Sequence, residues 1–279
     1  MKLQYLGTAA AESVPAIFCE CETCKKARKN GGRDIRTRTQ ALIDDGKLCI
    51  DFCADSYCHS IRYGFNFTEI HDYIITHSHS DHLYVNDIYM LHQGFANLPL
   101  DYEYRFHGGH KVIEKIESVI PIPADDYRIK RIFLEPFKTV EISGYNVTPL
   151  KAYHSYGDDD PYIYIIEKDG KGILWAHDTG YFLDEVWEYL EKNKPHLDFI
   201  SLDGTCGTTE IARSATHMSL GICVEVRDRL LEIGCCDEKT IACINHFSHN
   251  SPNILYDDMT REAAKYGMIC SYDGMIVEI

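Results

Sequence analysis

Three histidines and an aspartate crowd into six positions in His77-Ser78-His79-Ser80-Asp81-His82, behind the apolar run Tyr73-Ile74-Ile75. His77 and His79 are two apart, so at the end of a strand they share a face. Asp81 and His82 lie past the bend and can serve a second ion nearby. Imidazole and carboxylate together suit Zn, Mn or Fe, and two such ions about 3.5–4 Å apart make a hydrolytic clamp. The bland alternative is a His-rich surface turn. It loses force because the rest of the chain supplies the missing ligands. His154 follows the strand-like segment 147–153 and precedes a turn at 155–158, Asp178 follows 172–177, and His246 ends 240–245. Each of these alone is an ordinary hydrogen-bonded strand-end residue. Joined to the 77–82 cluster, they complete two ion sites. His177 should point to the opposite face of its strand from Asp178 and is left out.

Cys19-Glu20-Cys21-Glu22-Thr23-Cys24 is a second constellation. Three thiolates so close can wrap one Zn tetrahedrally if a fourth ligand arrives from elsewhere. A disulfide needs an oxidising compartment, and a redox pair does not need the third thiol. His249, three residues beyond His246, is the chosen fourth ligand. The zinc would then staple 19–24 to the C-terminal region. His217 lies in Thr216-His217-Met218-Ser219, just ahead of a helical pattern. It reads equally as a helix N-terminal residue and as a general acid or phosphate contact.

These residues need strands that stop at one edge. Strand-like segments recur at 2–6, 40–44, 47–52, 72–77, 103–106, 146–153, 161–167, 172–177, 197–202, 239–245, 267–271 and 274–278. Helix-like segments fall near 21–29, 82–93, 110–118, 181–193, 217–232 and 256–266. Turn-joined strands early and strand–helix alternation later fit one α/β (α+β) domain over 1–279, with two sheets face to face and helices outside. The candidate ligands sit just after strand ends, where pockets form in such folds.

Among 279 residues, 28 are basic and 43 acidic, for a net charge of -15. Such a surface repels polyanions and argues against a large nucleic-acid footprint. No run of about 20 apolar residues spans a membrane, and the N-terminus is too short and polar for a signal peptide. Several of the 12 cysteines, Cys49, Cys223, Cys243 and Cys270 among them, sit in apolar runs as reduced, buried residues. The expected compartment is a reducing cytoplasm.

The series His77-x-His79-x-Asp81-His82, His154, Asp178, His246 resembles the ligand series of the metallo-β-lactamase superfamily. The opening Tyr5-Leu6-Gly7-Thr8-Ala9-Ala10-Ala11-Glu12-Ser13-Val14-Pro15, with Cys19-x-Cys21-x-x-Cys24 and His246-x-x-His249, is similar to its PhnP-like branch. That branch includes the phosphoribosyl cyclic phosphodiesterase of phosphonate breakdown. It also holds a quinone-cofactor biosynthesis protein that lacks much of the ligand set intact here. The resemblance implies an αββα sandwich of two mixed sheets with a dinuclear centre. One ion, Zn or Mn with Fe also allowed, would take His77, His79, His154 and Asp178. A second would take Asp81, His82, Asp178 and His246, and a structural Zn would take Cys19, Cys21, Cys24 and His249. Asp81 and His217 would be catalytic, His217 matching a phosphate-contacting histidine of phosphodiesterase members. The implied activity is cleavage of a small cyclic or nucleotide-like phosphodiester. The alternatives are a carboxylic ester, lactone or thioester hydrolase, a ribonuclease Z-like enzyme or a non-catalytic accessory protein. Two departures stand out. Thr8-Ala9-Ala10-Ala11 replaces the usual glycine-rich loop, and the long arm of ribonuclease Z has no counterpart. The partner expected is a small phosphodiester, with neither membrane nor large nucleic acid, and a homodimer is left open.

Overall fold

The structure, a computed structural model, describes residues 1–99, 101–120, 128–154 and 160–279. The turn expected at 155–158 lies outside the described residues. The first sheet has the order β14 (Ile276–Glu278), β1 (Lys2–Gly7), β2 (Gln40–Ile43), β3 (Leu48–Ile50), β4 (Asp72–Ile74), β5 (Tyr104–Gly108), β6 (Ile129–Phe133). The second runs β7 (Val140–Ile142), β8 (Tyr145–Lys151), β9 (Tyr162–Lys168), β10 (Lys171–Ala176), β11 (Phe199–Asp203), β12 (Ile241–Asn245), β13 (Ile269–Cys270). In each sheet, read in this order, three antiparallel pairings give way to three parallel ones.

Alternation along the strands assigns the faces. Tyr5, Ile50, Ile74, Tyr164, Ile173, Trp175 and Phe199 form the core between the sheets, where Tyr5 stacks on Trp175 at 5.5 Å. Leu174 and Leu202 face outward under α5 (Asp184–Asn193), α6 (Leu220–Glu232) and α7 (Tyr256–Ala264). Tyr73 and Phe106 face outward on the first sheet, toward α3 (Val85–Ile88) and α4 (His110–Val119). The helix α4 buries Val112 and Ile116, one turn apart on one side. The αββα expectation is met.

Three elements escaped the sequence reading. The helix α2 (Ser56–Tyr63) buries only Ser56 and His59, while Tyr57 and Ile61 are exposed, so those two apolar residues face away from the core. The half-exposed edge strand β6 alternates no clean apolar face, and β7 has only three residues. The helix expected at 82–93 is one α turn followed by a 3₁₀ turn at Tyr89–Leu91. The strand expected over 72–77 closes at Ile74. Ile75 N–H makes a last bond to the His107 carbonyl, and Asp51 then captures the Thr76 N–H at 2.7 Å. His77 and His79 therefore do not share a strand face; they stand in the loop beyond it.

Candidate metal centre

That loop is held from two sides. Asp51, fully buried after β3, accepts from the Thr76 N–H and hydroxyl and lies 2.7 Å from Nδ1 of His82. Lys115 of α4 donates to the Ser78 carbonyl. Other residues of the centre follow parallel strands of both sheets. Asp51 and His246 directly follow β3 and β12, Asp178 follows β10 with His177 between, and all three have positive φ, at 65°, 48° and 66° in chain order. A non-glycine residue in this region costs free energy and persists where surrounding bonds over-determine it. Here it turns three polar side chains sharply off their strands toward one point. Gly180 locks the neighbouring loops: its N–H bonds the Tyr153 carbonyl, and a Cβ there would lie 1.9 Å from the Ala215 carbonyl.

Asp178 is the hub. Its Oδ2 lies 2.6 Å from His82 Nε2, 3.3 Å from His246 Nε2 and 3.6 Å from His77 Nε2. Its Oδ1 lies 3.4 Å from His217 Nδ1 and 3.9 Å from His154 Nδ1. His79 Nδ1 is 3.2 Å from His154 Nε2, and Asp81 reaches His82 Nε2 at 3.3 Å. Among the described residues, ligand-type atoms gather into the groups His77, His79, His154 and Asp81, His82, Asp178, His246. The expected series thus converges as two lobes on either side of Asp178. His177 faces elsewhere, bonding Ser201 at 2.8 Å.

The arrangement fits divalent cations. His77 Nε2, His82 Nε2, His154 Nδ1 and His246 Nε2 are buried and have no hydrogen-bond partner apart from the carboxylates they face. Four such orphans in one place would be costly unless lone pairs were wanted there. Burial and then His82 hold His77 well below the usual imidazole range, and burial lowers His154, so both present neutral lone pairs. Burial opposes ionisation of Asp178, but His246 and His82, themselves raised against burial by the carboxylates around them, outweigh it and keep the carboxylate charged; a divalent cation would supply the same positive charge in place of their protons. Outward partners fix two rings. Asp51 takes Nδ1 of His82, and the Thr205 hydroxyl lies 2.8 Å from Nδ1 of His246, which leaves each Nε2 facing Asp178.

Asp203, at the end of β11, is fully buried. It accepts from the N–H groups of Asp178, Thr205 and Met218 and lies 3.2 Å from His217 Nδ1. Burial disfavours charge on His217, but Asp203, then Asp178 and Asp81, raise it to about 9. Asp51, Asp203 and Thr205 were missed as site residues. Asp203 carried the signal used for Asp178, a carboxylate directly after an expected strand, whereas Asp51 fell inside the strand expected over 47–52, which closes at Ile50. Glu12 was missed as well; it lines the cavity of about 270 Å³ over the centre, whose described lining holds no Lys or Arg.

The second constellation also closes. Cys19, Cys21, Cys24 and His249 place their ligand atoms within 4.8 Å of one another. His249 Nδ1 lies 3.4 Å from Cys19 Sγ and 3.6 Å from Cys21 Sγ. A tetrahedral Zn with Zn–S of about 2.3 Å and Zn–N of about 2.0–2.1 Å puts S and N about 3.5 Å apart. Backbone N–H groups of Ala16, Cys21 and Cys24 point at Cys24, Cys19 and Cys21 sulfurs. Burial works against the Cys21 thiolate, but the Cys24 N–H and His249 help bring it down to about 6. The twelve cysteines are all unpaired.

No curated protein matches the sequence. Among solved structures, a diphosphatase of the PhnP family aligns with TM-score 0.75 at 21% identity, covering 100% of this chain and 97% of that one. Zn-bound PqqB from Methylobacterium extorquens aligns with TM-score 0.77 at 16% identity, covering both chains fully at 100%. The short form of human tRNase Z aligns with TM-score 0.66 at 12% identity over 100% and 99%. A family model described as a beta-lactamase superfamily domain matches residues 65–232. That segment carries His77 through His217 of the converging centre and more than half of the chain, which belongs to the beta-lactamase superfamily and has its metallo-β-lactamase fold.

Proposed function

We propose that this chain is a hydrolase of small phosphodiesters that works with two divalent ions. His77, His79, His154 and Asp178 would hold one ion, and Asp81, His82, Asp178 and His246 the other. Cys19, Cys21, Cys24 and His249 would hold a structural zinc. The observation that carries the reading is the Asp178 carboxylate, shared between two lobes of buried imidazoles whose facing nitrogens have no other partner. When bound, the ions would offset the carboxylate charge, polarise a phosphoryl group and lower the pKa of water enough to supply hydroxide near neutral pH.

The protein's own residues then divide the remaining work. His217 gives Nδ1 to Asp203, which leaves Nε2 to meet the substrate. Protonated, it holds a phosphoryl oxygen or delivers a proton to the departing oxygen. Asp81 lies at the inner edge of the cavity, where it can accept a proton from the attacking group. Asp203 keeps the His217 ring oriented through charge and through its own three backbone donors. A cavity of about 270 Å³ suits a small substrate, and a described lining free of Lys and Arg offers a polynucleotide little footing. Neighbours of the same fold include a diphosphatase, a tRNase Z and yeast PDE1, which supports phosphoryl chemistry over carboxylic esters.

The test is turnover of an aryl phosphodiester beside an aryl carboxylic ester and an aryl phosphomonoester, on protein with its metals quantified. Diester cleavage with about three metals per chain is expected. Cleavage of the carboxylic ester alone would move the protein to the lactonase side and defeat the reading.

A further inference from the structure

A second cavity lies apart from the metal centre. It opens on the outer face of the first sheet, beside α2 and α3, with a volume of about 560 Å³, and it shares no lining residue with the cavity over the centre. That volume lies within the usual range for small-molecule sites, about 300–1,000 Å³. Its walls are strongly aromatic. Tyr73 stacks on Phe106 at 4.8 Å, and Phe52 meets both rings edge-on, with Phe67 beside it at 5.4 Å.

Among the polar groups of this lining, the Tyr73 and Tyr104 hydroxyls and the Asp87 carboxylate have no side-chain hydrogen-bond partner among the described residues. Tyr73 and Tyr104 are 2% and 3% exposed, and neither hydroxyl makes a hydrogen bond among the described residues. Both residues line the cavity. Asp87 of α3 also lines it, with no ion pair or side-chain hydrogen bond, and burial raises its carboxyl above the usual range. The described lining contains no Lys, Arg or His. Ring faces attract cations, a lone carboxylate attracts them further, and the chain's charge of -15 adds a field of the same sign.

We propose that this cavity is a second ligand site, separate from the metal centre, that takes a flat aromatic ring bearing a positively charged nitrogen. The ring lies among Phe52, Phe67, Tyr73 and Phe106, the charged nitrogen pairs with Asp87, and its remaining N–H groups meet the Tyr73 and Tyr104 hydroxyls.

Benzamidine and benzamide have nearly the same shape and differ in charge. Metal-loaded protein is titrated with each by calorimetry and by ligand-observed NMR. Saturable benzamidine binding is expected, with benzamide about tenfold weaker. Asp87→Asn should bring benzamidine down to the level of benzamide. Tyr104→Phe, which keeps the ring and the packing, should weaken benzamidine without lowering the melting temperature. It keeps the test decisive if Asp87→Asn folds poorly. No saturable binding, equal affinity for the two probes, or benzamidine binding that both variants leave intact would overturn the proposal. So would binding that inorganic phosphate displaces, since that would place the probe at the metal centre.

Discussion

Replacing Asp51 by Asn tests whether His82 faces the centre as a ligand. Asp51 touches no proposed ion, yet it accepts from the Thr76 N–H at 2.7 Å and the Thr76 hydroxyl at 2.9 Å, and it lies 2.7 Å from His82 Nδ1. The isosteric amide keeps the volume but has one oxygen where the carboxylate had two. If the amide oxygen stays on Thr76, its NH₂ faces His82, which must then carry its proton on Nε2 and loses the lone pair aimed at Asp178. If the amide turns round, its NH₂ opposes the Thr76 N–H, a donor that cannot rotate away. Either way, binding an ion through His82 leaves one buried donor facing another. That costs about 1–3 kcal/mol, or about 5- to 150-fold in affinity for the ion on the Asp81 side. This agrees with the loss of about 10- to 100-fold usual when the partner of a ligating histidine is removed. The assay is metal content across a series of buffered free-metal concentrations, wild type beside Asp51→Asn, with the thiolate site as an internal standard. Unchanged affinity at both ions of the centre in a folded variant would refute the assignment of His82 and the tautomer argument with it.

Other consequences follow from the same geometry. His217→Ala should reduce diester turnover by about 10²- to 10⁴-fold and leave the metal count unchanged; equal activity would remove its role. Asp178→Ala should lose active-site metal as well as activity, and full occupancy by elemental analysis would refute the shared carboxylate. Cys24→Ser should lower bound zinc by one ion per chain and lower the melting temperature while sparing the centre; an unchanged zinc count would dismiss the thiolate site. His59 is fully buried between Gln40 and Thr37, and burial lowers it to about 4. Its unfolded value is near 6.5, so the unfolded chain binds the extra proton between these values. Its contribution of about 3 kcal/mol is therefore complete above pH 6.5 and is lost as pH falls toward 4. Denaturant midpoints across that window should fall less steeply for His59→Gln than for wild type, and parallel slopes would count against the neutral buried ring.

How much of this the sequence disclosed depends on how local each signal was. The two sheets, most strands and the convergence of His77, His79, Asp81, His82, His154, Asp178 and His246 were legible, because each ligand type ends an apolar run or sits in one cluster. What hid α2 was a tertiary override: its exposed Tyr57 and Ile61 mimic a buried face, and its inward residues are the polar Ser56 and His59, which serve Gln40. The strand assigned to 72–77 failed because periodicity cannot register that a carboxylate 25 residues earlier takes over the Thr76 N–H. Asp51 and Asp203 were overlooked for a different reason. The strand-end rule was applied to residues that could bind an ion, although the same turn also presents residues that aim the ligands. Asp51, Asp178 and His246 all hold positive φ within two residues of a strand's end. One backbone device thus positions candidate ligands and an orienting partner alike, and a search for polar residues at the closing end of every strand, whatever their role, would have gathered these residues as one set.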